Sequence, residues 1–399
     1  MLEYLSYTLF FSTLIILLVY GYIRLKFGFW SLQPVFHIYD IGYMIKAPGI
    51  IDDSLPQKNK YTNFKNIETI FFPNLSTLQK QRFVNLIKAH YLQNKDNIFN
   101  PQEENIIPYL NSHNDKTFVS FYNEEVYRID IKKGTTISDS KVIGLMTTRP
   151  IHIAIYNNNK DAKFDAYYVD YLCVDTMHRK KGIAPQLIQT HHYNQRHLNK
   201  KIVVSLFKRE DELTGIVPLT IYSTYGFSVK TWTKPNDLSG EYTLLEINNQ
   251  NLHFLINFIR EKESNFEISI CVDVSNIVEL IKTKNIFIYV ILSEDTIIAA
   301  YFFRKSCIQV EKGLEVLTCF ASICDCDSNI FSQGFKISFW KIAAENYFGF
   351  AAIENISHNN IILDNIILKT VPSIISPTAY FFYNFAYPTF PSNKVLVIN

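Results

Sequence analysis

The sequence contains no Cys-x-x-Cys pair, no glycine-rich loop of the NTPase type and no Gly-x-Ser-x-Gly nucleophile elbow. These absences weigh against a P-loop enzyme, a serine hydrolase and a zinc domain. The six cysteines, Cys173, Cys271, Cys307, Cys319, Cys324 and Cys326, are scattered. Cys324-Asp325-Cys326 is too tight for a zinc knuckle and has no matching pair elsewhere. The thiols therefore read as reduced, which fits a cytosolic exposure. No metal site is expected, and His191-His192 reads as one half-buried and one exposed histidine. An excess of one charge is also lacking: 39 basic and 37 acidic residues leave a net charge of +2. No global field draws the chain to nucleic acid, and any anion site has to be local. Apolar residues are abundant instead, 48% of the chain with 15% aromatic, which excludes disorder. A chain of 399 residues suits two domains or one large composite.

One long apolar run stands apart. Leu5 to Ile23 (LSYTLFFSTLIILLVYGYI) carries no charge and has the length of a helix that spans hydrocarbon. A cleaved signal peptide is disfavoured, because no basic n-region and no small-x-small site precede the bulk of the chain. A buried core helix would have to be apolar on every face. The run is expected to be a single-pass membrane anchor, with Tyr20 and Tyr22 at the interface. Arg24 and Lys26 follow it directly, and this positive flank places the large domain on the cytosolic side.

Beyond the run, hydrophobic periodicity alternates between strands and helices. Thr77 to Gln93 reads as a helix, Phe118 to Ile131 and Val142 to Met146 as strands. A hairpin-like stretch, Ile151 to Tyr156, leads past three asparagines to a strand ending at Val174. Ile183 to Arg196 is helical and Lys201 to Phe207 is a strand. The second half repeats this grammar: helices at Leu252 to Glu263 and Val274 to Thr283, then strands around a Glu294-Asp295 turn. It closes on an aromatic strand, Ala379 to Ile398, broken at Pro388. The expected class is α+β, with a mixed twisted sheet and flanking helices in two tandem lobes. The division is residues 1–26 for the anchor, 27–235 for the first lobe and 236–399 for the second.

The segment Tyr171 to Ile188 carries the chemistry. A buried strand ends at Val174, a basic turn with Arg179, Lys180, Lys181 and Gly182 follows, and a helix begins at Ile183. Backbone amides at a helix start are unpaired and the dipole is positive there, which suits a pyrophosphate. The pattern Arg-x-x-Gly-x-Ala after a strand resembles the GCN5-related N-acetyltransferase (GNAT) fold, which binds acyl-CoA in this way. Tyr171-Leu172-Cys173-Val174 and Ile183-Ala184-Pro185-Gln186-Leu187-Ile188 resemble the signature of the N-myristoyltransferases. There Phe-Leu-Cys-Val precedes Leu-Ala-Pro-x-Leu-Ile by the same eight-residue gap seen here from Asp175 to Gly182. Further segments agree in order. They are Phe29-Trp30-Ser31-Leu32-Gln33-Pro34-Val35, Tyr91 to Phe99, Val142-Ile143-Gly144 through Pro150 to Tyr156, and Tyr383-Asn384 with Lys394 to Asn399. The resemblance covers Phe27 to Asn399.

The resemblance implies two tandem GNAT-like lobes, with the acyl-CoA lobe first and the peptide side in the second. It implies myristoyl-CoA or a similar acyl-CoA as co-substrate, with no permanently bound cofactor. The acceptor would be the N-terminal glycine of a peptide or protein, whose amine has a free pKa of about 7.7–8.0 and must lose a proton before attack. The implied base is the terminal carboxylate of Asn399, and the amides of Tyr171 and Leu172 would hold the oxyanion. Phe29, Trp30, Val174, Arg179, Lys180, Lys181, Gly182, Ile183 and Ala184 would hold CoA. Tyr91, Asp96 and Phe99 would meet the peptide. The departures from the family lie on that peptide side. Asn94 and Lys95 stand where the family has aspartates, and Phe207-Lys208-Arg209-Glu210 stands where it has Tyr-Thr-Ala-Gly, unless Thr214-Gly215 replaces that turn. Two other readings stay open: a lipid-binding membrane protein that has lost transfer, and a GNAT-type acetyltransferase of a small amine.

Overall fold

A computed structural model of the chain describes residues 2–45, 48–93, 97–130, 135–156, 161–210, 215–310 and 313–399. The first element is helix α1 (Leu2–Phe27). Its apolar stretch Ser6–Phe27 has a mean hydropathy of 1.8, and none of its most apolar window is buried in the protein. Leu9, Phe10, Ile15, Ile16, Leu17 and Leu18 all face outward. The helix is long and apolar enough to cross a membrane. Its base is fixed to the body by Phe27, whose ring lies on Gly215. A Cβ at Gly215 would come within 2.2 Å of that ring, so only glycine fits.

Helix α2 (Thr77–His90) starts at a capping box in which Ser76 and Gln79 satisfy each other's backbone amides. Its buried residues Phe83, Val84, Leu86 and Ile87 seat it on the sheet. Helix α3 (Ile183–Leu198) starts at Gly182, whose φ of 76° is the left-handed conformation that glycine adopts without strain. Pro185 lies in the first turn of α3, where its missing N–H leaves no helical bond unmade.

The strands around the site are β1 (Phe118–Asp130), β2 (Thr135–Ile155), β3 (Ala162–Val174), β4 (Val204–Glu210) and β5 (Thr220–Ser228). From the second half come β6 (Ile268–Cys271), β7 (Phe350–Glu354), β8 (Ile374–Tyr383) and β9 (Val395–Ile398). Among the described residues they belong to one sheet of 15 strands. Its order runs β9-β6-β2-β3-β4-β8-β5-β7 and continues into Leu314–Cys324, Thr296–Val310, Ile286–Ser293 and Tyr242–Glu246. The class is α+β, as the periodicity implied. Both halves of the chain share this sheet: β8 pairs with β4 and β5, and β9 runs parallel to β6 at the edge beside β2.

Two elements differ from the sequence reading. β2 is one strand of 21 residues through Pro150, not two pieces. Its neighbour β1 starts at Phe118 opposite Thr148, and β6 ends at Cys271 opposite His152. Pro150 thus sits where β2 is paired on one side only, and its missing N–H need not interrupt a ladder. The final stretch separates into β8, a short Phe385–Ala386 strand and β9. Asn384 turns the chain with a φ of 66°, and Pro388 and Pro391 follow.

Candidate active site

The site is built on an irregularity in β3. Met146 faces Leu172 and Thr148 faces Val169, so Asp170 and Tyr171 together oppose Thr147. Two residues against one make a β-bulge, which bends the strand and re-aims its side chains. On its other side β3 runs parallel to β4, but only from Ala166 to Val169 against Val204 to Phe207. Beyond that pair the strands part. A cavity of about 310 Å³ opens there, lined by Val169 and Leu172 of β3, Phe207 and Lys208 of β4, and Ile188 of α3. Trp30 closes it, stacked on Phe207 at 5.7 Å and 14°, while Phe207 stacks on Phe381 at 5.3 Å. Phe29 sits edge-on to Trp30 and to Tyr61.

The turn after Val174 is tightly held. The Asp175 carboxylate accepts from the Met177 amide at 2.9 Å and from Lys141 Nζ at 3.1 Å. Burial alone would raise its pKa, but these hydrogen bonds outweigh burial and hold it down at about 2. Arg179 donates from Nη2 to the His90 carbonyl at 2.6 Å and from Nε to the Val174 carbonyl at 3.4 Å, so it binds the turn to the end of α2. Lys180 and Lys181 are exposed, and open space lies around Gly182. Ile183 and Leu187 pack under Gly144, where a Cβ would stand 3.0 Å from Leu187 and 3.2 Å from Ile183. This close approach draws the start of α3 against β2, with Ala184 half-buried beside it. The first-turn amides of α3 face outward with the positive end of the dipole.

The Tyr171 side chain is buried against Phe83 and Tyr91. Its amide is already bonded, donating to Thr147 Oγ1 at 3.1 Å. Tyr91 lines the cavity and its hydroxyl reaches the Asp170 carbonyl at 3.4 Å. Phe99 lies in the core behind Tyr91, with ring centroids 5.5 Å apart. Asp96, like Asn94, Lys95 and Thr214, lies outside the described residues. Asn399 follows β9 and is 3% exposed, and both polar atoms of its side chain are buried without a partner. The structure therefore gathers Trp30, Tyr91 and Leu172 at one cavity, with Tyr171 beside it. Phe29 packs on Trp30, and Val174 with the turn residues 179–184 leads into α3; these residues do not line the cavity, nor does Asn399, which follows β9 beside β6.

The histidine pair departs from expectation: His191 and His192 are both buried, 1% and 8% exposed. Residues 52–66 wrap the outer face of α3, with the Asn63 amide donating to Thr190 Oγ1 and Arg196 donating to the Asp53 carbonyl, so both sides of the helix are covered. His191 bridges the hydroxyls of Ser120 and Thr148, each at 2.8 Å. Burial depresses both histidines, His191 to about 4 and His192 to about 3, so both are neutral at pH 7.

A second set of polar residues comes together here, of which the sequence marks out Lys208 alone, as a departure from the family pattern. Arg149 of β2 donates from Nε to both Asp170 oxygens, at 3.0 and 2.9 Å. Glu354 of β7 accepts from Lys208 at 3.1 Å, from Arg304 at 2.9 Å and from the Tyr222 hydroxyl at 2.5 Å. Burial raises the Asp170 carboxyl despite Arg149. For Glu354 burial pulls the same way, but Lys208 and Arg304 outweigh it and lower the carboxyl. The available signal was the placing of single charges inside apolar strands, as in Tyr168-Val169-Asp170-Tyr171-Leu172 and Tyr301-Phe302-Phe303-Arg304. Among the described residues no group of three His, Cys, Asp or Glu side chains is arranged to hold a metal ion. The cysteines there are all free thiols.

No family model matches the chain, and no curated protein matches it in sequence. Solved structures do resemble it. An N-myristoyltransferase of Saccharomyces cerevisiae with bound myristoyl-CoA superposes with a TM-score of 0.70 at 14% identity, over 91% of this chain and 94% of that one. A second structure of that yeast enzyme, with bound myristoyl-CoA and inhibitors, gives 0.69 at 14% identity over 93% and 94%. A third, with bound myristoyl-CoA, gives 0.67 at 15% identity over 92% and 89%. At this identity the likeness is one of fold.

Proposed function

We propose that the protein transfers a fatty acyl group from coenzyme A to an amine, and that the amine is the N-terminal glycine of a peptide or protein. The observation that carries this reading is the parting of β3 and β4 after Val169 and Phe207 around an apolar cavity, beside a helix whose first amides are open. The likeness in fold to the yeast enzyme supports it. In this reading the amides of Gly182, Ile183 and Ala184 receive the CoA pyrophosphate, with Lys180 and Lys181 adding charge. Arg179 holds the turn in shape, Val174 ends the strand below it, and Phe29 and Trp30 cover the ligand. The acyl chain lies in the cavity.

The acceptor amine, once deprotonated, attacks the thioester carbon beside Tyr91 and Phe99, with Asp96 assigned to the same peptide side. Negative charge moves to the carbonyl oxygen, which the amides of Tyr171 and Leu172 receive. Donors of this kind contribute ~3 kcal/mol each. The Thr147 hydroxyl marks a position at which an oxygen accepts from Tyr171, and the thioester oxygen takes that place. The C–S bond then breaks, the nitrogen, positively charged after attack, gives up a second proton, and CoA leaves as a thiolate that takes up that proton. The terminal carboxylate of Asn399 is assigned as the base for the amine proton. Helix α1 is assigned as a single-pass anchor, with the body on the cytosolic side. The bonded state of the Tyr171 amide favours a second reading, an acyl-CoA-binding membrane protein that does not transfer.

Titration of myristoyl-CoA into the full chain in detergent micelles, followed calorimetrically, tests both readings, and absence of binding overturns both. Binding without acylation of any glycine peptide leaves the second. The base assignment has its own test. Residues added after Asn399 should abolish turnover and leave acyl-CoA affinity within about twofold, and full activity of the extended chain refutes the assignment.

A further inference from the structure

The cavity assigned to the acyl chain is not apolar throughout. Ile188, His191, His192 and Gln195 line it from one face of α3, at i, i+3, i+4 and i+7. Ile188 is the apolar one, and Gln195 lies ~10 Å further from the start of the helix. The strands agree in direction. Leu172 lines the cavity past the point where β3 and β4 part, and Ser205 lines it from the paired stretch, opposite Tyr167. The end away from the proposed thioester site is therefore edged by histidine, glutamine and serine.

Two neighbouring histidines are treated differently there. His191 bonds the hydroxyls of Ser120 and Thr148, and Thr148 donates in turn to Gln195 Oε1 at 2.7 Å. That is what a purely structural histidine needs in this core. His192 and Ser205 are 8% and 7% exposed, yet among the described residues neither side chain has a hydrogen-bond partner. The two come together at Tyr383. Its ring is edge-on to His192 at 4.8 Å, and it stands opposite Ser205 across β8 and β4, so the two side chains share a face. The Tyr383 hydroxyl donates to Gln33 Oε1 at 2.7 Å and keeps a lone pair with which to accept. His192 and Tyr383 also border a second cavity of about 140 Å³, lined mainly by polar side chains.

No ionised side chain lines this end. Burial keeps both histidines neutral at pH 7. Asp170, Lys208 and Arg209 line the cavity past Val169 and Phe207, where the strands part. Arg196, one turn beyond His192, donates to the carbonyls of Asp53 and Lys200 and does not line the cavity. A terminal methyl group against His192 and Ser205 would leave a buried imidazole and a buried hydroxyl unbonded, which is unfavourable. A neutral imidazole offers one donor and one acceptor, and a serine hydroxyl offers both, so the group that fits is a neutral hydroxyl.

We infer that His192 and Ser205 seat a hydroxyl carried at the far end of the acyl chain, so that the preferred donor is the CoA thioester of a hydroxylated fatty acid. The inference rests on the acyl-CoA binding proposed above and names its ligand class. Its test compares matched pairs of equal carbon number: 12-hydroxydodecanoyl-CoA with dodecanoyl-CoA, and 14-hydroxytetradecanoyl-CoA with myristoyl-CoA. Each is titrated calorimetrically into the full chain in micelles, with its uptake by protein-free micelles subtracted. In at least one pair the hydroxylated donor should bind at least about tenfold tighter, the scale of one buried hydrogen bond. His192→Leu and Ser205→Ala should each bring that ratio toward one. Equal affinity within both pairs, or tighter binding of the unsubstituted chains, overturns the inference and leaves the acyl-CoA reading standing, with water filling the polar end. A hydroxyl preference unchanged in both variants also overturns it. Where His192→Leu does not fold, Ser205→Ala and the parent ratio decide. Binding of no donor overturns both readings. The measurement is of binding alone, so it decides even where no peptide is acylated.

Discussion

The two sides of the β3–β4 opening are built on different physics. On the α3 side the groups proposed to meet acyl-CoA are mainly backbone, the bulge at Asp170–Tyr171 and the open amides after Gly182, with aromatic rings beside an apolar cavity. On the opposite side the groups are charged side chains buried among tyrosines. Backbone donors tolerate changes of residue type, so Tyr171 can hold its place whatever its side chain. Buried charges tolerate little, because each is held by its counter-charge. The largest effect is therefore expected at Glu354. Glu354→Gln leaves Lys208 and Arg304 without their anion and should lower stability by about 3–5 kcal/mol, read from denaturant unfolding. A loss below about 1 kcal/mol would mean that water already screens the cluster, and the contrast between the two sides would disappear.

The next effect separates the sides by pH. His191 is depressed to about 4 by burial, against a model-peptide value of about 6.5. Between those values the unfolded chain binds a proton that the folded chain does not, so stability falls as pH drops from 6.5 toward 4. The full effect is on the order of 3 kcal/mol for His191, and His192 steepens the same slope. Asp175 lies at about 2 and contributes only at lower pH. Unfolding free energies at pH 7, 5.5 and 4.5 check this, and His191→Asn should flatten the profile. A profile that is flat above pH 5 would place the histidines in contact with solvent.

How much of this was legible in the sequence follows the same division. The strand-turn-helix from Tyr171 to Ile188 was readable because its parts are local: a strand run, a glycine that must take a positive φ, and an apolar helical period. The class and the Glu294-Asp295 turn were readable for the same reason, and both turn residues take positive φ, 48° and 61°. The charged cluster was not readable. Arg149, Asp170, Lys208, Arg304 and Glu354 are far apart in the chain, and only the shared sheet brings them together. The burial of His192 was missed because it depends on residues 52–66, which cross α3 from a distant stretch of sequence. The unbroken course of β2 through Pro150 was missed because it depends on where the neighbouring strands stop.

The smallest expected effect bears on the point where the two sides meet. Thr147 faces the bulge, and its hydroxyl accepts the Tyr171 amide at 3.1 Å. Thr147→Val keeps the shape and removes that acceptor. Leaving the amide unpaired should destabilise the protein by about 1 kcal/mol. If the thioester oxygen takes the position of the hydroxyl, the variant has lost a competitor for the donor. Acyl-CoA should then bind at least as tightly as to the parent chain, in the same calorimetric titration. A tenfold loss of affinity would show instead that the hydroxyl itself contacts the ligand. The bulge would then act through Thr147 and not through the backbone, and the donor side would be built on side-chain chemistry as well.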